Sequence, residues 1–92
     1  MKIFHNEEIY IKTDNFSDSI FKENTMFFDI ETTGFSPVKA IVYMIGCARR
    51  IKNRIVIDQY FAESPDDEAA VIEAFAGSLS GCSTIISFNG EI

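Results

Sequence analysis

Lysine and arginine are scarce: 8 of them stand against 14 aspartates and glutamates, a formal charge of −6 over 92 residues. Sequence-independent nucleic-acid binding normally rests on a basic surface, and the densest basic stretch here is Arg49, Arg50, Lys52 and Arg54. Any contact with nucleic acid must therefore be carried largely by metal ions rather than by bulk charge. Cysteine is sparse as well. Cys47 and Cys82 are too few for a disulfide framework and too far apart for zinc-ligand spacing, which leaves reduced core thiols and a cytoplasmic setting as the expectation. No run of about 18 apolar residues occurs, so no membrane-spanning helix and no membrane partner are expected. The opening residues, Met1 to Glu8, lack an apolar stretch of signal-peptide length. Repeats, low-complexity tracts and linkers are absent, and no Gly-rich loop opens a helix to cradle a phosphate. The one histidine, His5, reads as an ordinary exposed residue.

What the chain does have is apolar mass. It is 47% hydrophobic and 13% aromatic with nine Phe, enough for a core and too much for a disordered acidic tail. The length allows a single domain, one that buries only roughly 60–65% of its unfolded surface. Residues 1–24 read as a preamble: a short strand over Glu8–Lys12, then a brief helix that Asp14 caps and that carries Phe16, Ile20 and Phe21.

From Thr25 the pattern sharpens. In Met26-Phe27-Phe28-Asp29-Ile30-Glu31 a strand places Met26, Phe28 and Ile30 on one face and Phe27, Asp29 and Glu31 on the other. Thr33 to Pro37 breaks it with turn residues. Ala40–Ala48 is nearly all apolar, as in a strand covered on both faces. Arg50 to Asn53 makes a polar turn, and Arg54–Phe61 is a third strand with β-branched Ile55, Val56 and Ile57. Short connections predict an antiparallel meander. Ser64, Pro65 and the acidic Asp66, Asp67 and Glu68 mark a helix start. Ile72, Phe75, Ala76 and Leu79 give that helix a buried stripe, and Gly81 ends it. Thr84–Phe88 is a last strand, parallel to its neighbour because it is reached through a helix. The fold class is α/β.

Asp29 and Glu31 carry the candidate chemistry. Two apart on a strand, they point the same way with Cα atoms roughly 6.6 Å apart. Side chains from such a base can share two divalent ions about 3.5–4 Å apart, and hard oxygen donors select Mg²⁺ or Mn²⁺. The spacing alone is weak, since in this composition an Asp-x-Glu arises by chance about half the time. Asp66 and Glu68 form a second one, for which a helix start is explanation enough. The first pair differs in lying within an apolar strand, where unpaired buried carboxylates are costly. Either a cation sits there or the strand end is open to water.

Asp29-Ile30-Glu31-Thr32-Thr33-Gly34 closely resembles the first motif of the DEDD superfamily of 3′–5′ exonucleases, shared by polymerase proofreading domains and YprB-like ribonuclease-H-like proteins. Met26-Phe27-Phe28 and Ile45-Gly46 also look like that family, and Phe88-Asn89-Gly90 resembles the start of its second motif. The resemblance covers residues 25–92, the N-terminal half of a ribonuclease H-like domain. It implies a truncated sheet lacking the C-terminal helices and strand of that fold. It further implies a metal-dependent nuclease that hydrolyses phosphodiesters at a single-stranded 3′ end of DNA or RNA, with Asp29 and Glu31 as catalytic metal ligands. Half of the ligands of a two-ion Mg²⁺ or Mn²⁺ site would then be present, leaving this chain weakly active or inactive. Substrate contacts would come from Thr32, Thr33, Gly34, Phe35 and Asn89. For three of these a plain role competes: Gly34 as a turn residue with positive φ, Phe35 in the core rather than stacked on a base, and Asn89 as a strand terminator. A non-catalytic metal- or nucleic-acid-binding or assembly module derived from the fold is the alternative. The missing elements would expose Ile85, Ile86 and a sheet edge, so self-association, as in a homodimer, is expected.

Overall fold

Alternation along Thr25–Thr32 sets the parity of the whole sheet, because each cross-strand partner inherits the face of the residue it opposes. The computed structural model describes residues 1–10, 21–34 and 40–87. It contains β1 (Lys2–Ile9), β2 (Thr25–Thr32), β3 (Val42–Ile51), β4 (Arg54–Phe61), a 3₁₀ turn (Pro65–Asp67), α1 (Glu68–Ser78) and β5 (Thr84–Ser87). The five strands form one mixed sheet in the order β1-β4-β3-β2-β5. The β2-β3-β4 meander is antiparallel and β5 is parallel to β2, both as the sequence predicts. The short helix of the preamble (Asp14, Phe16, Ile20), Phe35 and Phe88 to Ile92 lie outside the described residues.

The core lies between α1 and one face of the sheet. Met26 of β2, Ile45 and Cys47 of β3, Tyr60 of β4 and Val71 of α1 are its buried members, with Phe28, Ile30, Phe75 and Leu79 packed against them. Phe28 and Phe75 meet at 5.2 Å between ring centroids. Burial pushes the Cys47 thiol upward from its ordinary value, and its Sγ lies 3.9 Å from the Ser78 hydroxyl, so this cysteine is a packed, unreactive one. Both cysteines are free.

Four expectations change. The helix stripe is rotated by one residue: Val71 and Ser78 are buried, whereas Ile72 is 45% exposed. The inward residues Val71, Ala74, Phe75, Ser78 and Leu79 have the same helical spacing one position earlier, so periodicity fits either face. Ser64 has the extended conformation of an N-cap, but its hydroxyl makes no capping bond; instead the Asp67 carboxylate accepts from the Glu63 amide at 2.9 Å. β3 runs on to Ile51, so the polar turn shrinks to Lys52 and Asn53, with Lys52 at φ 56 as a tight hairpin requires. Ile45 and Cys47 are covered by α1, but Met44 and Ala48 on the opposite face are only half-buried among the described residues.

The first strand is also displaced, to Lys2–Ile9 rather than Glu8–Lys12. Every residue of β1 is exposed, so no burial pattern marks it; backbone pairing from Lys2–Phe61 to Ile9–Arg54 defines it. One side chain adds to that attachment. His5 lies opposite Asp58, and its Nδ1 bonds the Asp58 carboxylate. Nε2 of the same ring is 3.4 Å from Glu7, and Arg49 approaches Asp58 from β3 at 3.8 Å. The hydrogen bond to Asp58, then that to Glu7, raises the His5 pKa above its ordinary 6.5. His5 is thus half-exposed but partnered.

Two measurements follow. In chemical denaturation Val71→Ala should cost about 2 kcal/mol and Ile72→Ala less than about 1 kcal/mol, an order that a helix in the expected phase would reverse. The folded pKa of His5 lies above its unfolded value, so its contribution is complete below pH 6.5 and disappears as pH rises through the raised value. The difference in melting temperature between the natural chain and His5→Gln should accordingly be largest near pH 5.5 and close to nil at pH 9; a pH-independent difference would show that the ring acts by packing alone.

Candidate nuclease site

Asp29 and Glu31 both emerge from β2 on the face away from α1, together with Phe27. Their cross-strand partners on β3 are Gly46 and Met44. Because Gly46 has no side chain, a shallow hollow of about 220 Å³ opens beside the Asp29 carboxylate, bordered by Phe27, Met44, Ala48, Ile57 and Gln59. Both acids are half-buried. Neither carboxylate has a hydrogen-bond or ion-pair partner among the described residues, where arginine pairing would have closed the space to a cation.

The second Asp-x-Glu of the chain behaves differently. Glu68 accepts a hydrogen bond from the Val42 amide at 2.7 Å, tying the start of α1 to the start of β3. Asp67 is held by the N-terminal ammonium at 2.9 Å, which keeps its carboxyl below the usual range. Glu68 and the intervening Asp67 are consumed by structure, while Asp66, the first acid of that motif, lies exposed. Neither acid of the pair on β2 is so used.

At Glu31 the ladder changes register. Glu31 pairs with Met44 while Thr32 pairs with Val42, leaving Tyr43 as an extra residue in β3. Bulges of this kind bend a strand and re-aim its side chains. The turn beyond is pinned: the Thr33 amide donates to Ile41 O at 3.0 Å, and Thr33 Oγ1 accepts from the Ile41 amide at 3.1 Å. Thr32 Oγ1 donates to Gly34 O at 3.2 Å. Gly34 is not in the left-handed region, and a Cβ there would meet nothing within 4 Å, so its expected positive φ is not found. Of the sequence-derived site residues, the fold thus brings Asp29, Glu31, Thr32, Thr33 and Gly34 to one strand end; Phe35 and Asn89 are outside the described residues. Gly46 borders the site unforeseen, and the signal for it was a lone glycine inside an apolar strand.

A family model of the RNase_H superfamily matches residues 26–92. The chain belongs to the RNase_H superfamily. It is also similar to the uncharacterized protein YprB of Bacillus subtilis (strain 168), with 28% identity over 71 residues, 76% of this chain and 17% of YprB. The chain therefore spans 17% of the length of that relative. No solved structure matches. The mixed sheet with one helix on its face is an RNase H-like arrangement, and nucleases of the RNase_H superfamily act on nucleic acid, in general with divalent metals. The pair on β2 offers the hard oxygen donors such ions take. Among the described residues no group of three or more His, Cys, Asp or Glu could hold an ion, so the pair does not make a metal site by itself.

The hollow makes its own prediction. Gly46 has ordinary φ, and an added Cβ would meet Met44 Sδ at 3.6 Å and Gln59 Cγ at 3.9 Å, ordinary contacts. Gly46→Ala should keep the fold and gain about 0.4–1 kcal/mol by restricting the unfolded chain; a loss of stability in thermal unfolding would mean that the hollow is closed.

Proposed function

We propose that this chain contributes the first metal-binding carboxylates of a 3′–5′ exonuclease-like domain that hydrolyses phosphodiesters of single-stranded nucleic acid. The observation that carries this reading is the contrast within one molecule: Asp29 and Glu31 share a face, free of partners among the described residues, while Glu68 is spent on a backbone amide. In the proposed site Asp29 and Glu31 would hold two Mg²⁺ or Mn²⁺ ions. Bound there, the ions would supply charge neutralisation for the phosphodiester and a water of lowered pKa. The protein's own part is positional. β2 fixes the two carboxylates from a rigid base, the missing side chain of Gly46 leaves room beside them, and the Thr32–Gly34 turn sets backbone next to the expected position of the terminal nucleotide.

The same residues without the remaining ligands would still bind a cation, which is the reading of a non-catalytic module. General-base assistance is typically worth 10²–10⁴ in rate, so a site that binds metal without it should turn over very slowly.

Titration with Mn²⁺ should raise the melting temperature of the 92-residue chain, and Glu31→Ala and Asp29→Ala should each abolish the rise. In a longer protein containing the later motifs, Asp29→Ala should abolish Mn²⁺-dependent release of nucleotides from a 3′-labelled single strand. Equal release by the two proteins would remove the assignment.

A further inference from the structure

Two phenylalanines stand in water where a core has no use for them. Phe4 is 55% and Phe61 is 40% exposed, and both lie on the face of the sheet that carries Asp29 and Glu31. Following direct partners across the strands, Lys2 opposes Phe61, Phe61 opposes Met44, and Met44 opposes Glu31. Phe4, Gln59, Gly46 and Asp29 form the adjoining row. At about 4.8 Å per strand, Lys2 and Phe4 sit about 14 Å from the carboxylates.

Two hollows lie along this path. A cavity of about 410 Å³ is lined by Lys2, Phe4 and Phe61 together with Ala62 and Glu63. A second, of about 180 Å³, shares Ala62 and Glu63 and reaches Tyr43 and Thr33, the motif's own turn. Tyr43, the extra residue of the β3 bulge, is edge-on to Phe61 with centroids 5.8 Å apart. The acid in this path, Glu63, is held by the N-terminal ammonium at 3.0 Å, which Asp67 shares.

We infer that these two cavities form a stacking track on which Tyr43, Phe61 and Phe4 receive successive bases of a single nucleic-acid strand whose 3′ end lies at Asp29 and Glu31. Lys2 meets a phosphate at the far end. The inference rests on the nuclease reading for its direction and goes beyond it in naming where the strand runs. Three features select this occupant: the nearer hollow reaches the motif's turn at Thr33 and Phe61 is two strands from Glu31 in direct register, the rings offer faces that any base can use, and Lys2 sits where the strand would leave.

The test measures binding without catalysis. A fluorescein-labelled ten-nucleotide oligothymidylate is titrated with the 92-residue chain in EDTA and followed by anisotropy. Phe4→Leu and Phe61→Leu should each weaken binding by about fivefold to a hundredfold, as the loss of one stacked base predicts. Phe4→Tyr and Phe61→Tyr keep a ring and should hold affinity within about twofold. Ile72→Ala, on the far side of the helix, should bind as the natural chain does. No binding in EDTA, or equal affinities for the folded Leu variants, would overturn the track. So would sedimentation showing a dimer that the Leu variants dissolve without any effect on oligonucleotide affinity, because the rings would then serve a second copy of the chain. Since the readout needs no metal, it fails independently of the Mn²⁺ titration.

Discussion

The antiparallel register between β2 and β3 holds the rest of the molecule in place. With Ile30 opposite Ile45, Phe28 opposite Cys47 and Met26 opposite Arg49, one side of the pair packs beneath α1. The same register puts Asp29 over Gly46 and Glu31 over Met44 on the other side. A slip of one residue would exchange the faces, driving two carboxylates into the core and leaving Met26 and Phe28 in water. Burying unpaired charges is so costly that the core itself enforces the register. The hydrophobic effect that stabilises the fold is thereby also what points the acids outward, and no separate device is needed to aim them.

The acidic side chains divide into those the fold has used and those it has left. Glu68 satisfies a strand-end amide, Asp67 and Glu63 bind the N-terminal ammonium, and Asp58 gathers His5 and Arg49. Asp29 and Glu31 hold no comparable bond among the described residues. For a protein of charge −6 to engage a polyanion, the contact must either bring its own cations or avoid charge. The proposed cation site and the proposed aromatic track answer those two needs at opposite ends of one sheet face.

Much of this was readable in the residues. The Met26-Phe28-Ile30 alternation gave the parity of β2, and the β-branched run in Arg54–Phe61 gave a strand with the observed bounds. What escaped was non-local or phase-dependent. His5 and Asp58 are 53 positions apart, so nothing near His5 announces its partner. The stripe of α1 was misplaced by one position because Val71 and Ile72 are both apolar and helical spacing fits a stripe that begins at either. β1 has no buried side to betray it. Ile85 is exposed at the β5 edge as expected, but exposure alone names no partner, and the dimer expected from it has no further support.

β1 is made before β2 and β3, yet its partner β4 begins only at Arg54, so the Lys2–Phe61 pair encloses both of them. Until β4 has emerged, β1 is an unmatched ribbon with Ile3 and Phe4 unshielded. β3 and β4, joined by a tight hairpin, can zip locally before β1 joins them. Assembly should run from the middle of the sheet outward, with β1 attached late. The charges scattered along it (Lys2, Glu7 and Glu8) are then well placed as gatekeepers, discouraging neighbouring nascent chains from pairing with it while it waits.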